Sequence, residues 1–130
     1  MNKLYVPRFA LLLGVFLAAG CQRQLAAPAS EEKATAALTA SLDAWKAGAS
    51  PADLEARAPA IIINDPQWKN GVRLLDYQIQ SGCKPAGQDL RYVVNLTLTD
   101  PEGKTTQTVQ ASYTIGTASA IVIVRDEVIN

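Results

Sequence analysis

The chain has 130 residues, enough for one domain, and its 12 Lys and Arg residues balance 12 Asp and Glu residues. It contains no histidine, which excludes Ser-His-Asp and Cys-His nucleophile arrangements and every metal site that needs an imidazole ligand. No block of basic residues is present to neutralise a phosphate backbone, so we expect no nucleic-acid partner. The composition therefore favours a non-enzymatic protein without a cofactor or a metal site.

The beginning of the chain is typical of an export signal. A basic head with Lys3 and Arg8 precedes the apolar run 9–19, and the residues at 18–20 are small. As a helix, residues 9–20 reach roughly 18 Å, whereas a bilayer core needs about 30 Å, so we do not expect this segment to remain as a membrane span. Residues 1–20 are therefore predicted to be a signal peptide that is removed.

The segment LAAGC at positions 17–21 resembles the lipobox of bacterial lipoproteins. In that family the cysteine thiol carries a diacylglyceryl group with fatty chains such as palmitate, the signal is cut just before the cysteine, and the new amine is often acylated. The resemblance implies that Cys21 is the lipidated residue. Ala18 stands where the commonest lipobox has leucine. The alternative is an ordinary signal peptide cut at an Ala-x-Ala-like site, which would leave Cys21 unmodified.

Residues 21–30 are predicted to form the lipidated cysteine and a tether, because they contain Pro28 and show little periodicity. Such a tether reaches at most ~30 Å when fully extended, so the domain is expected to stay close to the membrane surface. The residue after Cys21 is Gln22 rather than aspartate. By the sorting rule of the lipoprotein family, this implies the outer membrane where a cell has two membranes.

Residues 31–130 are predicted to form a single α+β domain that begins with an amphipathic helix. Ser30 is a suitable N-cap, and Lys46 followed by Gly48 is a typical helix end. Residues spaced by three and four positions predict the buried face of this helix, and they are Ala34, Ala37, Leu38, Ser41, Leu42 and Trp45.

A second, short helix is predicted to begin at Pro51, because proline is favoured at the first helical position, and Pro59 is expected to end it. The three isoleucines at 61–63 suit a brief strand. The segment 65–68, Asp-Pro-Gln-Trp, is expected to be a turn or a single helical turn.

From residue 75 onward, apolar residues recur at every second position, as is typical of strands with one buried face. Turn-like segments separate these runs, among them 81–89 and the Asp-Pro-Glu-Gly segment 100–103. Short links favour an antiparallel meander of four strands with the helix packed on one face. The residues expected to face the core are Leu75, Tyr77, Ile79, Tyr92, Val94, Leu96, Leu98, Val109, Ala111, Tyr113 and Ile115, and the fourth run, 120–124, is apolar on both faces.

This layout is similar to the cystatin-like roll, the fold shared by cystatins, ketosteroid isomerase and nuclear-transport-factor-like domains. The chain also resembles small uncharacterised secreted or lipid-anchored proteins of planctomycete-type bacteria. Both resemblances imply a fold and no activity. The second rests on the pattern Trp45-Lys46-x-Gly48, Pro51-x-x-Leu54, Asp65-x-x-Trp68-x-x-Gly71 and Leu75-x-Tyr77.

Three tyrosines are candidates for a ligand site. Tyr77, Tyr92 and Tyr113 share the parity of the apolar strand face, so they either line an interior pocket, with phenols that donate to a ligand carbonyl, or form an aromatic core. A ketosteroid-isomerase-like site would also need a carboxylate there, and Asp76 has the opposite parity. With Cys21 lipidated, Cys83 lacks an intrachain partner, and it is open whether it is reactive, bridged to another chain, or a small turn residue.

The sequence therefore predicts a membrane-anchored envelope lipoprotein whose domain is a non-enzymatic binding or structural module. Its expected partners are the membrane, through the lipid anchor, and an envelope protein or polymer. The alternative is a small-molecule-binding or enzymatic roll with an interior pocket lined by Tyr77, Tyr92 and Tyr113.

Overall fold

The computed structural model describes residues 29–126, which form an α+β domain. The predicted signal peptide and Cys21 lie outside the described residues. The helices are α1 (Glu31–Lys46), α2 (Pro51–Glu55) and α3 (Pro66–Lys69), and the strands are β1 (Ile61–Asn64), β2 (Arg73–Ile79), β3 (Lys84–Ala86), β4 (Asp89–Thr99), β5 (Thr106–Gly116) and β6 (Ile121–Asp126).

Helix α1 begins and ends where its sequence predicts. The side chain of Ser30 caps it by accepting a hydrogen bond from the Lys33 N–H at 3.3 Å. At the other end Gly48 has φ +90°, a left-handed conformation that stops a helix and that glycine adopts most easily. The predicted buried face is confirmed, and its members are Ala34, Ala37, Leu38, Ser41, Leu42 and Trp45, with Ala44 in addition.

The two short helices are also set by their first residues. The Ser50 N–H donates to the Asp53 carboxylate at 2.8 Å, and Pro51 occupies the first turn of α2. This helix ends at Glu55, before the proline at position 59 that was expected to end it. Of the two alternatives for the segment after the isoleucine run, a turn or a single helical turn, the structure has the helical turn, α3, with Asp65 as its N-cap.

The sheet has six strands in the order β1-β6-β5-β4-β2, with β3 paired to β4. The prediction of a four-stranded antiparallel meander was therefore incomplete. Strand β1 pairs in parallel with β6, from Ile61 opposite Ile121 onward, which makes the sheet mixed. Strand β3 lies in the segment predicted as a loop and forms a small hairpin with β4. The four predicted runs correspond to β2, β4, β5 and β6, which do pair antiparallel in chain order, with β3 inserted between β2 and β4 along the chain.

Strand β2 carries a bulge that changes which side chains face the core. Leu74 pairs with Leu98, but Asp76 pairs with Thr97, so one residue of β2 is left unpaired between them. As a result Leu74 is buried, and Leu75, which was predicted to be buried, is 46% exposed. The bulge places one extra residue in the strand, and this shifts the alternation of inward and outward side chains by one position.

The core lies between α1 and the inner face of the sheet. The alternation predicted for β4 and β5 is confirmed, since their inward residues are buried with those of α1. The exposed large aliphatic side chains include Ile62, Val122 and Val124, which alternate with the inward isoleucines of β1 and β6. The fully buried large side chains are Leu38, Leu42, Leu54, Val94, Leu96, Leu98, Tyr113, Ile115 and Ile123.

Candidate functional site

Two of the three candidate tyrosines lie side by side in the core. Tyr92 on β4 and Tyr113 on β5 are paired across the sheet and are 4% and 0% exposed. The Tyr92 hydroxyl lies 2.8 Å from Oγ1 of Thr35 on α1. Burial raises the pKa of Tyr92, and the half-buried Cys83 nearby adds to the rise. This hydroxyl therefore joins helix to sheet.

Tyr113 belongs to a buried polar cluster around Asp65. Its hydroxyl donates to Oδ2 of Asp65 at 2.7 Å, while Oδ1 of Asp65 accepts from Nη1 of Arg125 at 3.2 Å. The same Oδ1 atom accepts from the N–H groups of Gln67 and Trp68 at the start of α3. Burial, with the Asp65 charge second, raises the pKa of Tyr113. The fully buried carboxylate is thus paired and hydrogen-bonded, as the cost of burying a charge requires.

Tyr77 lies apart from the other two, near the C-terminal end of α1. Its hydroxyl donates to Oδ1 of Asp43 at 2.6 Å. Partial burial, followed by this bond and the Asp43 charge, raises the pKa of Tyr77 to about 12. The three predicted pocket residues therefore have separate hydrogen-bond partners, and a ligand carbonyl would have to replace one of them.

A cleft opens beside this end of α1, with a volume of about 620 Å³. It is lined by the loop after α1, the end of α3 and the start of β2, and its lining includes Lys46, Lys69 and Arg73 but no carboxylate. We call it the basic cleft. Its volume lies within the range of ligand-binding pockets, roughly 300–1,000 Å³.

Two stacked tryptophans fix the walls of the basic cleft. The rings of Trp45 and Trp68 lie 5.2 Å apart and are inclined by 8°. The Trp45 indole N–H donates to the carbonyl of Val72 at 2.8 Å, and the Trp68 indole N–H donates to that of Ala49 at 2.9 Å. Each ring is thus joined to a loop that lines the cleft, so the cleft is preformed.

The cations of the cleft are held only loosely. The Lys46 ammonium is 3.6 Å from a carboxylate oxygen of Asp76, and both side chains are more than half exposed. The Lys69 ammonium donates to the side-chain oxygen of Asn64 at 3.1 Å, and Arg73 is exposed. Because exposed ion pairs contribute little in water, these cations are available to an anionic ligand.

A second groove lies beside the N-terminal half of α1, where the chain enters the domain. It has a volume of about 690 Å³ and is lined by α1, by residues 57–61 and by residues 117–121. We call it the alanine groove, because six of its lining residues are alanines, and two cations, Lys33 and Arg57, accompany them.

Neither surface feature was predicted from the sequence. The three cations of the basic cleft come from α1, α3 and β2, with no local motif that connects them. The available signal was the pair Trp45 and Trp68, which both belong to the residue pattern quoted from the sequence. Their proximity depends on the path of the chain between them, and this path is not visible in periodicity.

Comparison of the chain with protein-family models, with curated proteins and with solved structures gave no match. Within residues 29–126, no group of three or more Cys, Asp or Glu side chains is arranged to hold a metal ion. In that same part of the chain, no helix has the length and apolar character needed to cross a bilayer.

Proposed function

We propose that the protein is a lipid-anchored lipoprotein of the cell envelope, with a non-enzymatic domain that binds an anionic partner in the basic cleft. The lipobox-like segment 17–21 supports lipidation at Cys21. The packing of α1 on one face of the antiparallel strands, with a shared core, supports a cystatin-like roll as the fold of the domain. The separate partners of the three tyrosine hydroxyls do not favour the alternative of a tyrosine-lined interior pocket.

The observation that carries the binding role is the position of the basic cleft at the far end of α1 from the predicted tether. The tether joins the domain at Ser30, and the cleft begins at Trp45. A helix of 16 residues is about 24 Å long, so the cleft lies well away from the point of attachment. A partner in the envelope therefore reaches the cleft while the protein is anchored.

The lining of the cleft indicates the chemistry of this partner. Lys46, Lys69 and Arg73 provide three positive charges, and no lining residue is acidic. Guanidinium and ammonium groups bind carboxylates and phosphates through charge-assisted hydrogen bonds. We propose an acidic envelope polymer, because it carries many such groups along one chain, and several of them can bind the three cations at once.

The anchor is tested by replacing the predicted lipidated residue. We expect Cys21→Ser to abolish the lipid-dependent increase in mass and to release the protein from the membrane fraction. The matched control is Cys83→Ser, which removes the other cysteine and should leave mass and fractionation unchanged except for the substitution itself. An unchanged mass and an unchanged membrane fraction in Cys21→Ser would overturn the anchor.

The cleft is tested by the fluorescence of the two tryptophans of the chain, since both line it. The full-length lipidated protein is titrated with polyglutamate, and we expect a saturable, salt-sensitive change in emission. Arg73→Glu should weaken binding at least about tenfold, because it replaces an attractive charge with a repulsive one. Lys84→Glu makes the same change of charge on the exposed strand β3, outside the cleft, and should bind like the wild type. No fluorescence change, or equal weakening in both variants, would overturn the site.

A further inference from the structure

The alanine groove lies where the chain enters the domain. The Ala29 N–H donates to the carbonyl of Gln88 at 2.9 Å, and the Ser30 N–H donates to Oγ1 of Thr117 at 3.1 Å. Thr117 itself lines the groove. The first described residues are therefore fastened beside the groove, and the chain that leads back to Cys21 starts there.

The surface of the groove is apolar with a cationic edge. From α1 it receives Ala36, Ala37 and Ala40, and Lys33 and Arg57 are its only charged lining residues. Alanines make up about half of the remaining lining, together with apolar residues such as Pro59, Ile61 and Ile121. Such a combination of apolar surface with cations suits the interface of a bilayer, where phosphates lie above the acyl chains.

The apolar character continues on the two strands that border the groove. Ile61 and Ile121, which are paired, line the groove, and the next residues along the two strands are Ile62 and Val122. These are 43% and 36% exposed on the other face of the sheet. This end of the β1–β6 pair is therefore apolar on both faces.

We propose that the alanine groove is the surface of the domain that rests on the phospholipid bilayer, with Lys33 and Arg57 bound to lipid phosphates. This inference rests on the proposed lipid anchor, because a chain from Cys21 to Ala29 spans at most ~28 Å and holds the domain against the membrane. The occupant of the groove is thus the bilayer to which the protein is attached.

Charge determines which side of α1 turns towards the bilayer. Lys33 lines the groove, whereas Glu31 and Glu32 line an adjoining depression on α1, which shares Ala36 with the groove. An anionic membrane surface attracts the groove and repels the depression. In this orientation the groove faces the bilayer, the acidic depression lies at its margin, and the basic cleft lies at the other end of α1.

The test measures depth in the membrane at two matched positions of the full-length lipidated protein. In a Cys83→Ser background, Ala36→Cys places a thiol in the groove, and Ala47→Cys places one in the basic cleft. Both native residues are exposed alanines, and they lie about 16 Å apart along the axis of α1. Each thiol receives the same small fluorophore, and the protein is reconstituted into phosphatidylglycerol vesicles that contain nitroxide-labelled lipid.

We expect quenching by the nitroxide lipid to be at least about threefold stronger at position 36 than at position 47. The additional substitutions Lys33→Glu and Arg57→Glu should reduce the difference in quenching between positions 36 and 47. This reduction should be greater in phosphatidylglycerol vesicles than in uncharged phosphatidylcholine vesicles. Equal quenching at both positions in protein that floats with the vesicles would overturn the groove proposal and leave the anchor intact. Protein that carries no lipid and does not float would overturn the anchor, and the groove proposal with it.

Discussion

The two ends of α1 are built from different kinds of residue. At the C-terminal end, two stacked tryptophans are joined to loops by hydrogen bonds, and the second of them lies in α3, which Asp65 caps. At the N-terminal end, small side chains border a groove, and the chain is fastened by two backbone donors and the contact between Thr35 and Tyr92.

This difference in composition suits the two ends of α1 to different roles. Directional hydrogen bonds fix the loops around the basic cleft, so its exposed cations project from a preformed frame. The alanine groove has an apolar surface without a fixed recognition pattern, which suits a fluid bilayer better than a single ligand. We expect substitutions near the C-terminal end of α1 to lower the free energy of unfolding, with the largest loss at Asp65. Substitutions near the N-terminal end should instead change the contact with the membrane.

The substitution Asp65→Ala should lower the free energy of unfolding by about 3–5 kcal/mol, because it leaves a largely buried cation without its partner. The Arg125 side chain is only 14% exposed and would keep its charge in this position. The change would also remove the N-cap of α3 and the acceptor of the Tyr113 hydroxyl. Denaturant unfolding of the full-length protein in detergent measures the loss.

The matched control for this prediction is Asp65→Asn. Asparagine keeps an oxygen for the N–H groups of α3 and is a good N-cap, but it loses the negative charge opposite Arg125. Its effect should therefore be smaller than that of Asp65→Ala. If both variants were as stable as the wild type, the C-terminal end would not be the stabilised end of the comparison.

The next largest effect is expected for Trp45→Phe, which keeps an aromatic ring against Trp68 but removes the indole donor. The carbonyl of Val72 then loses its partner at the wall of the basic cleft. The bond is only partly buried, and such a hydrogen bond contributes about 0.5–1.5 kcal/mol, so we expect the free energy of unfolding to fall by about 1 kcal/mol. Denaturant unfolding tests this, and Trp68→Phe is the matched variant, since it removes the donor to Ala49. A loss below ~0.5 kcal/mol in both would mean that these bonds do not hold the cleft.

Much of the fold could be predicted because local patterns agree with the final structure. The spacing on α1, the Ser30 cap and the two-residue period of β4 and β5 each depend only on neighbours in the chain, and all three are confirmed. The pairing of β1 with β6 joins residues far apart in sequence, so no local sequence pattern indicates it. The bulge at Leu75 could not be predicted either, because a single inserted residue is invisible in an apolar run.

The candidate surfaces were less predictable than the fold. The alternation of side chains along β4 and β5 predicted that Tyr92 and Tyr113 face inward, and both do so in the structure. The two-residue alternation along a strand does not show which polar atoms contact one another inside the core. The partner of Tyr113, Asp65, comes from a different segment of the chain, 48 positions away. Likewise, the basic cleft exists only after three elements have been brought together.

A smaller effect is expected in alkaline solution. The pKa of Tyr77, beside Asp43 at the C-terminal end of α1, is raised from 10.0 to about 12, so the folded state keeps a proton that the unfolded chain releases. The stability from this group is complete below pH ~10 and is lost as the pH rises towards 12.

Absorbance of tyrosinate measures this shift. The native protein should show little tyrosinate at pH ~10, whereas the same chain in guanidinium chloride should be about half ionised there. Tyr77→Phe should remove a step near pH 12 from the native curve, and Tyr92→Phe, at the N-terminal end of α1, is the matched variant. Native titration centred on pH ~10 would contradict the shift and the contacts behind it.

We expect the smallest effect on stability at the ion pair of Lys46 and Asp76, on the edge of the basic cleft. Substitutions there should also separate an effect on ligand binding from an effect on stability most clearly. Because both side chains are more than half exposed, Lys46→Gln and Asp76→Asn should each change the free energy of unfolding by less than about 1 kcal/mol. Their effects on polyglutamate binding should have opposite signs. Lys46→Gln removes a cation of the cleft and should weaken binding, whereas Asp76→Asn frees that cation and should strengthen it. Equal binding by the two variants at low salt would show that the charge of the cleft does not select its ligand.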